Sequence, residues 1–346
     1  MEEQAPRLTL KDVATRAGVS SMTVSLALRD QPELPKSTRE RIQKLAEEMG
    51  YRPDPALAAL NRYRAKVRQT AQGATLAYLT AFETETGWQK CFLQRTFEGA
   101  HKRAKELGYR LEHFWLREPG LTAERLADIL QNRGIRGVLV APLPRPGRME
   151  FPWARFSAVA IGPSLVEPVL HSVCNNHYQS MLLALENIAS AGHQRIGLIL
   201  DPEVDQRHQQ KYLAAFTMFQ QNRCEAETRV LPLLAHPPSG EIVSQWLQTQ
   251  SPDVVISHDD HGIEWLRQGG AAVPEQVRFV SLIRNGDKSI TGIETFPEQI
   301  AAAAVNRLNQ LLHDNETGVP ELPTCLMLSG SWIVGTTCEK TACARD

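Results

Sequence analysis

The sequence predicts a small all-α unit followed by a larger α/β unit built on parallel, doubly wound sheets. In the first fifty residues, apolar side chains recur at helical spacing around a glycine turn. A short tract with its own helix-start signal follows. From Thr75 onward, strand-like apolar runs alternate with helical patterns, which is typical of parallel sheets covered on both faces. A chain of 346 residues is long enough for two or three domains.

The first two helices are predicted from apolar spacing and from Gly18 between them. One face of the first helix collects four apolar residues, Leu10, Val13, Ala14 and Ala17, and Thr9 can cap its start. Gly18 ends that helix and turns the chain, and Ser20 is a good N-cap for the next. In the second helix one side carries Val24, Ala27 and Leu28, and the other carries Met22, Ser25, Leu26 and Arg29.

A third helix is predicted after the loop between Pro32 and Pro35. Ser37 and Glu40 form an S-x-x-E capping box, and Gly50 stops the helix. Its apolar positions are Ile42, Leu45, Ala46 and Met49. Three short helices then share one small core, and spacing alone leaves open a generic three-helix bundle.

A short helix is also predicted after Pro53. Asp54 is a natural N-cap, Pro55 suits the first helical position, and Leu57 and Leu60 fall on one side. So short a helix is marginal in water, and we expect it to form only when something docks it. The alternative is a linker with incidental helical propensity.

Eight strands and five helices are expected in the remaining chain. The strand candidates are ATLAYL, YRLEHFWL, GVLVAP, AVAIG, RIGLIL, TRVLPLL, DVVIS and VRFVSL. The helix candidates are Leu93–Leu107, Thr122–Gln131, Tyr178–Ala191, Lys211–Gln220 and Gly240–Gln248. About 270 residues of this alternation predict two lobes, with a ligand crevice at the carboxyl ends of the strands.

Charge is distributed unevenly along the chain. Residues 1–70 hold 13 Lys and Arg against 9 Asp and Glu, and the remainder holds 25 against 30. A basic head on an acidic body fits a nucleic-acid-binding module joined to a domain with another task. No apolar run is long enough to span a bilayer, and the first residues lack a secretory pattern, which predicts the cytosol. The six cysteines are scattered without a CxxC pair, and we expect buried free thiols.

The sequence of residues 9–60 closely resembles the DNA-binding head of the lactose-repressor (LacI/GalR) family of bacterial transcription regulators. The shared motifs are D-V-A-x-x-A-G-V-S, T-V-S, T-R-x-R-I and G-Y-x-P. The resemblance implies a helix-turn-helix head at residues 1–53 and a hinge helix with linker at 54–70. It also implies a two-lobed, periplasmic-binding-protein-like core at 71–346 that binds an effector, dimerises, and has the chain crossing between its lobes.

The resemblance also implies which side chains meet double-stranded DNA. Ser21, Met22 and Leu26 occupy the base-reading positions of the recognition helix. The backbone phosphates are implied to be held by Thr9, Ser20, Thr23, Ser25 and Thr38, and Arg29 and Tyr51 are expected to contact DNA as well. Leu60, supported by Leu57, is implied to wedge open the central base step in the minor groove.

This chain departs from many family members at Leu26. Those members carry arginine at this position, and arginine binds guanine with two hydrogen bonds. Leucine cannot form these hydrogen bonds. We therefore expect an operator that differs from those of arginine-bearing members, read through shape and thymine methyl groups.

The resemblance extends to the body through AGHQRIGLIL, AAVPEQVRFVSL and the tail from Gly292 to Thr337. By that likeness we expect Asn176, Arg207 and Asp259 to hold a small effector. Trp88 or Phe92 would form its stacking wall. A carbohydrate is the implied effector class and nucleobases are the alternative, while capping or surface roles remain open for each of these residues.

The sequence gives little support for a metal site or a catalytic site. His258 and His261 flank two aspartates, but without HExxH or a third ligand they are as easily hydrogen-bonding groups. Nucleotide loops and the G-x-S-x-G elbow are missing, so we expect neither an enzyme nor a cofactor. The sequence predicts a regulator that binds a palindromic operator as a homodimer, and the family resemblance implies a repressor. The alternative is a solute-binding receptor with the same core and no DNA role.

Overall fold

The structure, a computed structural model, describes residues 10–28, 34–51, 73–235 and 237–338. At positions 10, 11, 21, 22, 25 and 91 it describes the backbone alone. The chain divides into two compact units, Met1–Arg68 and Gln69–Asp346. Across the described ranges, none of the helices combines the length and apolar character needed to cross a membrane.

The first unit contains the three predicted helices, α1 (Leu10–Ala17), α2 (Ser21–Leu28) and α3 (Lys36–Glu48). Their shared core is made of small and β-branched side chains, namely Val13, Ala14, Ala17, Val24, Ala27, Ile42 and Ala46. Gly18 adopts a φ of +68°, a conformation that costs glycine little and other residues more. The glycine turn predicted between α1 and α2 is therefore confirmed.

The predicted capping box of α3 is wrong. The helix begins at Lys36 with Pro35 as its N-cap and without a side-chain cap, so Ser37 and Glu40 lie two positions too far into the helix. The Pro35 carbonyl accepts the amide hydrogens of Thr38 and Arg39 at 2.9 and 3.1 Å. Proline suits this position because its φ is already fixed and it has no amide hydrogen to satisfy.

The first lobe of the second unit is built on a parallel six-stranded sheet. Its strands are β1 (Thr75–Thr80), β2 (Arg110–Trp115), β3 (Gly137–Val140), β5 (Ser157–Ile161), β7 (His171–Asn175) and β13 (Cys325–Leu328), in the spatial order β13-β7-β5-β3-β1-β2. Helices α4 (Cys91–Glu106) and α11 (Pro297–Asp314) cover one face. Helix α5 (Ala123–Asn132) covers the other, and β4 (Gly147–Arg148) pairs with β6 (Leu165–Glu167) separately.

The second lobe repeats the design. Its strands are β8 (Ile196–Leu200), β9 (Leu233–Leu234), β10 (Val254–Asp259), β11 (Arg278–Ile283), β12 (Gly292–Glu294) and β14 (Ser331–Ile333), in the order β14-β12-β11-β10-β8-β9. Only β14 runs antiparallel to its neighbour among these strands. The helices are α6 (His177–Ser190), α7 (Pro202–Arg207), α8 (Lys211–Arg223), α9 (Gly240–Gln250) and α10 (Gly262–Gln268).

The described chain crosses between the lobes three times, from β7 into α6, from β12 into α11, and from β13 into β14. Each lobe therefore contains segments distant in sequence. Arg95 of α4 braces the second crossing, because its guanidinium donates to Glu298 in α11 at 2.6 Å and to Glu294 in β12 at 3.1 Å. The predicted two-lobed, doubly wound core with parallel sheets is confirmed.

Several predicted elements changed in extent. The run TRVLPLL gives only the two-residue strand β9, preceded by a short 3-10 helix at Ala226–Thr228. Strands β4, β6, β7, β12, β13 and β14 were not predicted. They are short, and β13 and β14 are largely exposed edge strands without a run of buried apolar residues.

Four described cysteines are free thiols. Cys174 and Cys338 are buried and Cys224 is half-buried, but Cys325 is exposed on the edge strand β13, which contradicts the expected burial at that position. The sulfurs of Cys174 and Cys325 lie 3.6 Å apart, in hydrogen-bond contact and without a disulfide bond.

Candidate functional site

The start of α2 presents polar groups at the surface of the first unit. Oγ of Ser20 accepts the amide hydrogen of Thr23 at 3.1 Å and lies 2.8 Å from the Thr23 hydroxyl. Ser20 is therefore the N-cap predicted for this helix. Leu26, one turn further along, is half-exposed on the same side. This stretch has the form required of a recognition helix, with a capped start and a partly exposed reading side.

Two side chains of α3 fix the ends of the helices before it. Arg41 donates to the Ala17 carbonyl at 3.4 Å, and Gln43 donates to the Ala27 carbonyl at 2.8 Å. These carbonyls lie at the last turns of α1 and α2, where intrahelical partners run out. The angle between the two helices is thus held by hydrogen bonds as well as by the core. Sequence reasoning missed both residues, since nothing in their spacing sets them apart from solvated surface positions.

The other expected DNA contacts are placed unevenly. Thr38 is half-buried in the first turn of α3, and Tyr51 packs against the helical core just after that helix. Ser21, Met22 and Ser25 lie in α2, where the backbone alone is described. Four of the expected contacts, Thr9, Arg29, Leu57 and Leu60, lie outside the described residues.

In the second unit a cavity of about 330 Å³ lies at the carboxyl ends of strands from both lobes. The first lobe contributes Phe82 after β1, Phe92 and Thr96 of α4, and Asn175 at the end of β7. The second lobe contributes Arg207 of α7, His258 and Asp259 of β10, Ile283 of β11 and Thr295 after β12. This is the crevice in which open α/β sheets bind their ligands.

Of the expected effector residues, Phe92, Arg207 and Asp259 are brought together in the cavity lining. Trp88 is not part of that lining. Its ring is buried 4.8 Å from the ring of Phe97 and 5.0 Å from that of His113.

Asn176 does not line the cavity either. Its Oδ1 accepts the amide hydrogen of Gln179 at 3.2 Å and so caps α6, which is the capping role left open above. The preceding residue, Asn175, lines the cavity in its place, and its amide donates to the Ser180 hydroxyl at 3.0 Å.

Asp259 is held as a carboxylate by two histidines. Burial alone would raise its pKa, but hydrogen bonding and charge from His258 and His261 outweigh it and lower the pKa to about 2. Oδ1 lies 3.1 Å from Nδ1 of His261 and accepts its amide hydrogen at 3.0 Å. Oδ2 lies 3.6 Å from Nδ1 of His258. Oδ1 is therefore hydrogen-bonded by the protein itself, while Oδ2 has only the longer contact to His258.

Three histidines and a tyrosine form a ring cluster on the second lobe's wall. The ring of His208 lies 4.2 Å from that of His177 and 5.2 Å from that of His258, and Tyr212 contacts all three. Burial, reinforced by nearby positive charges, lowers the pKa of His177 to about 3 and lowers that of His208 as well. At neutral pH these two rings are uncharged. Sequence reasoning missed His177 and His208, which no motif singles out.

Arg207 is the residue whose side chain is least satisfied by the protein. Burial lowers the pKa of its guanidinium, against the attraction of Tyr212, Asp201 and Asp259. Yet within the described residues the guanidinium makes neither a hydrogen bond nor an ion pair. A half-buried guanidinium of this kind is ready to bind an acceptor in the cavity.

The His258 to His261 stretch does not assemble a metal site. In the described part of the chain, no three His, Cys, Asp or Glu side chains are grouped to hold a metal ion. Oδ2 of Asp260 accepts the amide hydrogen of Asn285 at 2.9 Å, so this carboxylate braces the loop after β11.

Two family models match the chain, and together they cover more than half of it. Residues 9–54 match "Bacterial regulatory proteins, lacI family", and residues 185–338 match "Periplasmic binding protein-like domain". The first match coincides with the helices of the first unit. The second spans the second lobe together with α11 and β13 of the first.

Similar proteins of known role are transcription regulators. The HTH-type transcriptional regulator PtxS of Pseudomonas plecoglossicida is 23% identical over 330 residues, covering 91% of this chain and 92% of PtxS. The repressor CytR of Escherichia coli is 25% identical over 207 residues, 58% of this chain and 56% of CytR. The regulator IdnR of Escherichia coli is 48% identical over 50 residues, 14% of this chain and 15% of IdnR.

Solved structures share the fold. A complex of the transcriptional regulator CelR with cellobiose is 19% identical with a TM-score of 0.55, covering 96% of this chain and all of that one. The lac repressor dimer bound to operator and an anti-inducer is 16% identical with a TM-score of 0.53, covering 96% and 99%. With the helix-turn-helix head, the two-lobed core and both family matches in agreement, the chain belongs to the LacI family and is a DNA-binding transcriptional regulator.

Proposed function

We propose that the protein is a repressor that binds a palindromic operator as a homodimer and is controlled by a small molecule in the cavity of its core. The capped start of α2, where Ser20 and Thr23 lie near half-exposed Leu26, is the observation that carries the DNA-binding part. One head makes few contacts, and two heads on inverted half-sites raise affinity through their linkage. The family member crystallised on its operator is a dimer, which supports the same arrangement here.

Within each head, the contacts divide into positioning and reading. Hydroxyls of Thr9, Ser20, Thr23, Ser25 and Thr38 hold phosphates, as a helix start and its neighbours commonly do, and Arg29 and Tyr51 add further contacts. Ser21, Met22 and Leu26 read base edges. Leu57 and Leu60, in a hinge at residues 54–70 between a head at 1–53 and a core at 71–346, wedge the minor groove.

The effector part rests on the cavity between the lobes. Phe92, Arg207 and Asp259 line it together, and its volume of about 330 Å³ suits a small organic molecule. Carbohydrates are the first class to test, since the solved structure of CelR is a complex with cellobiose, and nucleobases are the second. A ligand that binds better to one arrangement of the two lobes shifts the population of that arrangement, and so changes DNA affinity. We place this regulation in the cytoplasm, where the operator is.

A solute-binding receptor without a DNA role is the alternative. It explains the core but leaves the family match over residues 9–54 without a purpose.

The test is a gel shift of the full chain with DNA from upstream of its own gene, over a salt series. We expect a specific complex whose log affinity falls linearly with log salt, because phosphate neutralisation releases counterions. A melting-temperature screen of sugars and nucleobases then tests the effector part. DNA binding that depends on neither the DNA sequence nor the salt concentration contradicts the regulator role. Ligands that bind in the screen but leave the gel shift unchanged contradict control by an effector.

A further inference from the structure

The charge balance of the cavity favours an anionic ligand. Among its described lining residues the charged side chains are Lys90, Arg207 and Asp259, and the Asp259 carboxylate already pairs with His258 and His261. The neighbouring rings of His177 and His208 add no charge at neutral pH, since burial lowers the pKa of both. Arg207 therefore lies half-buried without a hydrogen bond to the described residues, although Asp201 and Asp259 attract its charge, and Lys90 adds a second, exposed positive charge.

Most polar groups of the lining are already used by the protein. The Thr96 hydroxyl donates to the Phe92 carbonyl at 2.8 Å, and the Ser164 hydroxyl accepts the Leu143 amide hydrogen at 2.7 Å. Asn175 is tied to Ser180, as described above. The Ser164 hydroxyl can still donate and the Thr96 hydroxyl can still accept, so these groups offer a ligand fewer hydrogen bonds than free hydroxyls do.

Two buried polar atoms remain. Thr295 and His258 line the cavity, and Oγ1 of Thr295 and Nε2 of His258 are buried atoms that make no hydrogen bond within the described residues. Asn285 completes the polar lining at a half-buried position. This set suits one or two polar substituents. The several hydroxyls of a neutral sugar need more partners, since each hydroxyl buried without one is costly.

The remaining lining is apolar and partly aromatic. Phe82, Phe92, Leu93 and Ile161 come from the first lobe, and Ile283 comes from the second. The rings of His208 and His258 add flat faces on the second lobe's wall. Such walls favour a flat, apolar body over a hydroxylated one.

We infer that the effector is a monocarboxylic acid with a flat, apolar body, whose carboxylate pairs with Arg207. The inference rests on the effector role proposed above, and it replaces the carbohydrate and nucleobase classes named there with a different ligand class. A planar guanidinium matches a carboxylate with two parallel hydrogen bonds. A phosphate monoester carries up to two negative charges at neutral pH, and of the two cations in the lining only Arg207 is half-buried while Lys90 is exposed. The carboxylate is therefore the better match.

The test is calorimetric titration of the full chain with ligands matched in shape. Benzyl alcohol has a hydroxyl where benzoate has its carboxylate, and phenyl phosphate has a phosphate there. Gluconate keeps the carboxylate on a hydroxylated body, and glucose has a hydroxylated body without the carboxylate. We expect benzoate to bind at least about tenfold more tightly than each of the others, the scale of one charge-assisted hydrogen-bond pair. Arg207→Gln should remove that preference. Arg267→Gln, an exposed arginine of α10, is the matched control and should keep it.

Each outcome decides the inference. Equal or tighter binding of benzyl alcohol or glucose, tighter binding of phenyl phosphate or gluconate, or no binding of benzoate overturns it. So does a benzoate preference that survives Arg207→Gln. A gel shift of the unaltered chain is run in parallel, so that a specific, salt-dependent DNA complex alongside any of these results rejects the acid ligand while leaving the regulator role intact. Loss of that complex rejects the regulator role instead.

Discussion

The hydroxyl of Tyr212 lies 2.8 Å from Nδ1 of His177, and both rings are buried in the second lobe beside the cavity. Tyr212 has a raised pKa because of its burial, and His177 has a pKa lowered to about 3. Near neutral pH both groups are therefore uncharged, and the contact is a hydrogen bond between neutral partners. Acid is the condition that disturbs it.

We predict that acid destabilises the second unit through His177. Because its folded pKa is lowered, the unfolded chain binds the proton more readily, so stability is present above pH 6.5 and is lost as pH falls toward 3. Between pH 6.5 and 5, this residue alone lowers the free energy of unfolding by about 2 kcal/mol. Urea unfolding at both pH values measures it. His177→Gln should reduce the loss, whereas His101→Gln, at an exposed position, should not.

A second prediction separates the structural and DNA roles of Ser20. Ser20→Ala removes the cap of α2 and should lower head stability by about 1 kcal/mol. Ser20→Asp keeps a good cap but places a negative charge beside the expected phosphate, so affinity should fall at least about tenfold while the melting temperature holds. Thermal melts and salt-matched gel shifts measure the two effects. Unchanged affinity in Ser20→Asp removes Ser20 from the phosphate contacts.

Leu26 provides a test of base reading. Leu26→Arg should shift half-site preference toward a guanine, by about 1–3 kcal/mol of discrimination, because arginine pairs with the guanine edge through two hydrogen bonds. Selection from a randomised operator pool measures the change. Glu48→Gln removes a negative charge at an exposed position on α3, so it changes the net charge by the same amount as Leu26→Arg. It should leave the preferred half-site sequence unaltered. A Leu26→Arg pool identical to that of the original chain excludes Leu26 from the reading side.

For the hinge we predict a loss that is general and not sequence-specific. Leu60→Ala should weaken binding to every operator by a similar factor, since a smaller side chain deforms the central base step less well. Affinities for several operators measured at one salt concentration test this. Losses confined to one operator contradict a wedge and indicate a base contact.

The α4–α11 contact depends on Gly99. A Cβ at this position would collide with the Glu298 backbone, so Gly99→Ala forces the two helices apart. An alanine in a free helix stabilises it, but here we expect a loss of about 1–3 kcal/mol. Urea midpoints measure it, with Lys102→Ala in the same helix as the control. A gain in stability would show that the helices separate at little cost.

Sequence patterns predicted the elements that carry long apolar runs. Strands β1, β3, β8, β10 and β11 are buried along nearly their whole length, which makes their runs legible. Strand β7 has a histidine, a serine and an asparagine among five residues, and it was missed for that reason. That omission explains the error at Asn176. Without the strand's end point, nothing indicated that Asn175 faces the cavity and Asn176 caps the next helix.

Site residues were predicted where a family pattern marked them, and missed where only tertiary packing did. That pattern marks an arginine in a helix, here Arg207, and an acidic residue at Asp259, the last residue of β10, and both line the cavity. The ring contacts of His177 and His208 bring together α6, α7 and α8, and such a meeting leaves no periodic trace in the sequence. Trp88 shows the opposite case, since an aromatic residue near a strand end turned out to be core packing.

The three crossings between the lobes have a genetic consequence. Strands β13 and β14, encoded within residues 325–333, each join a different sheet. A stop codon anywhere between β1 and β13 therefore damages both lobes together, while the codons of the three head helices remain intact. Truncating mutations spread along this whole stretch should share one phenotype, the joint loss of effector control and of the operator binding that depends on dimerisation, whichever codon they interrupt.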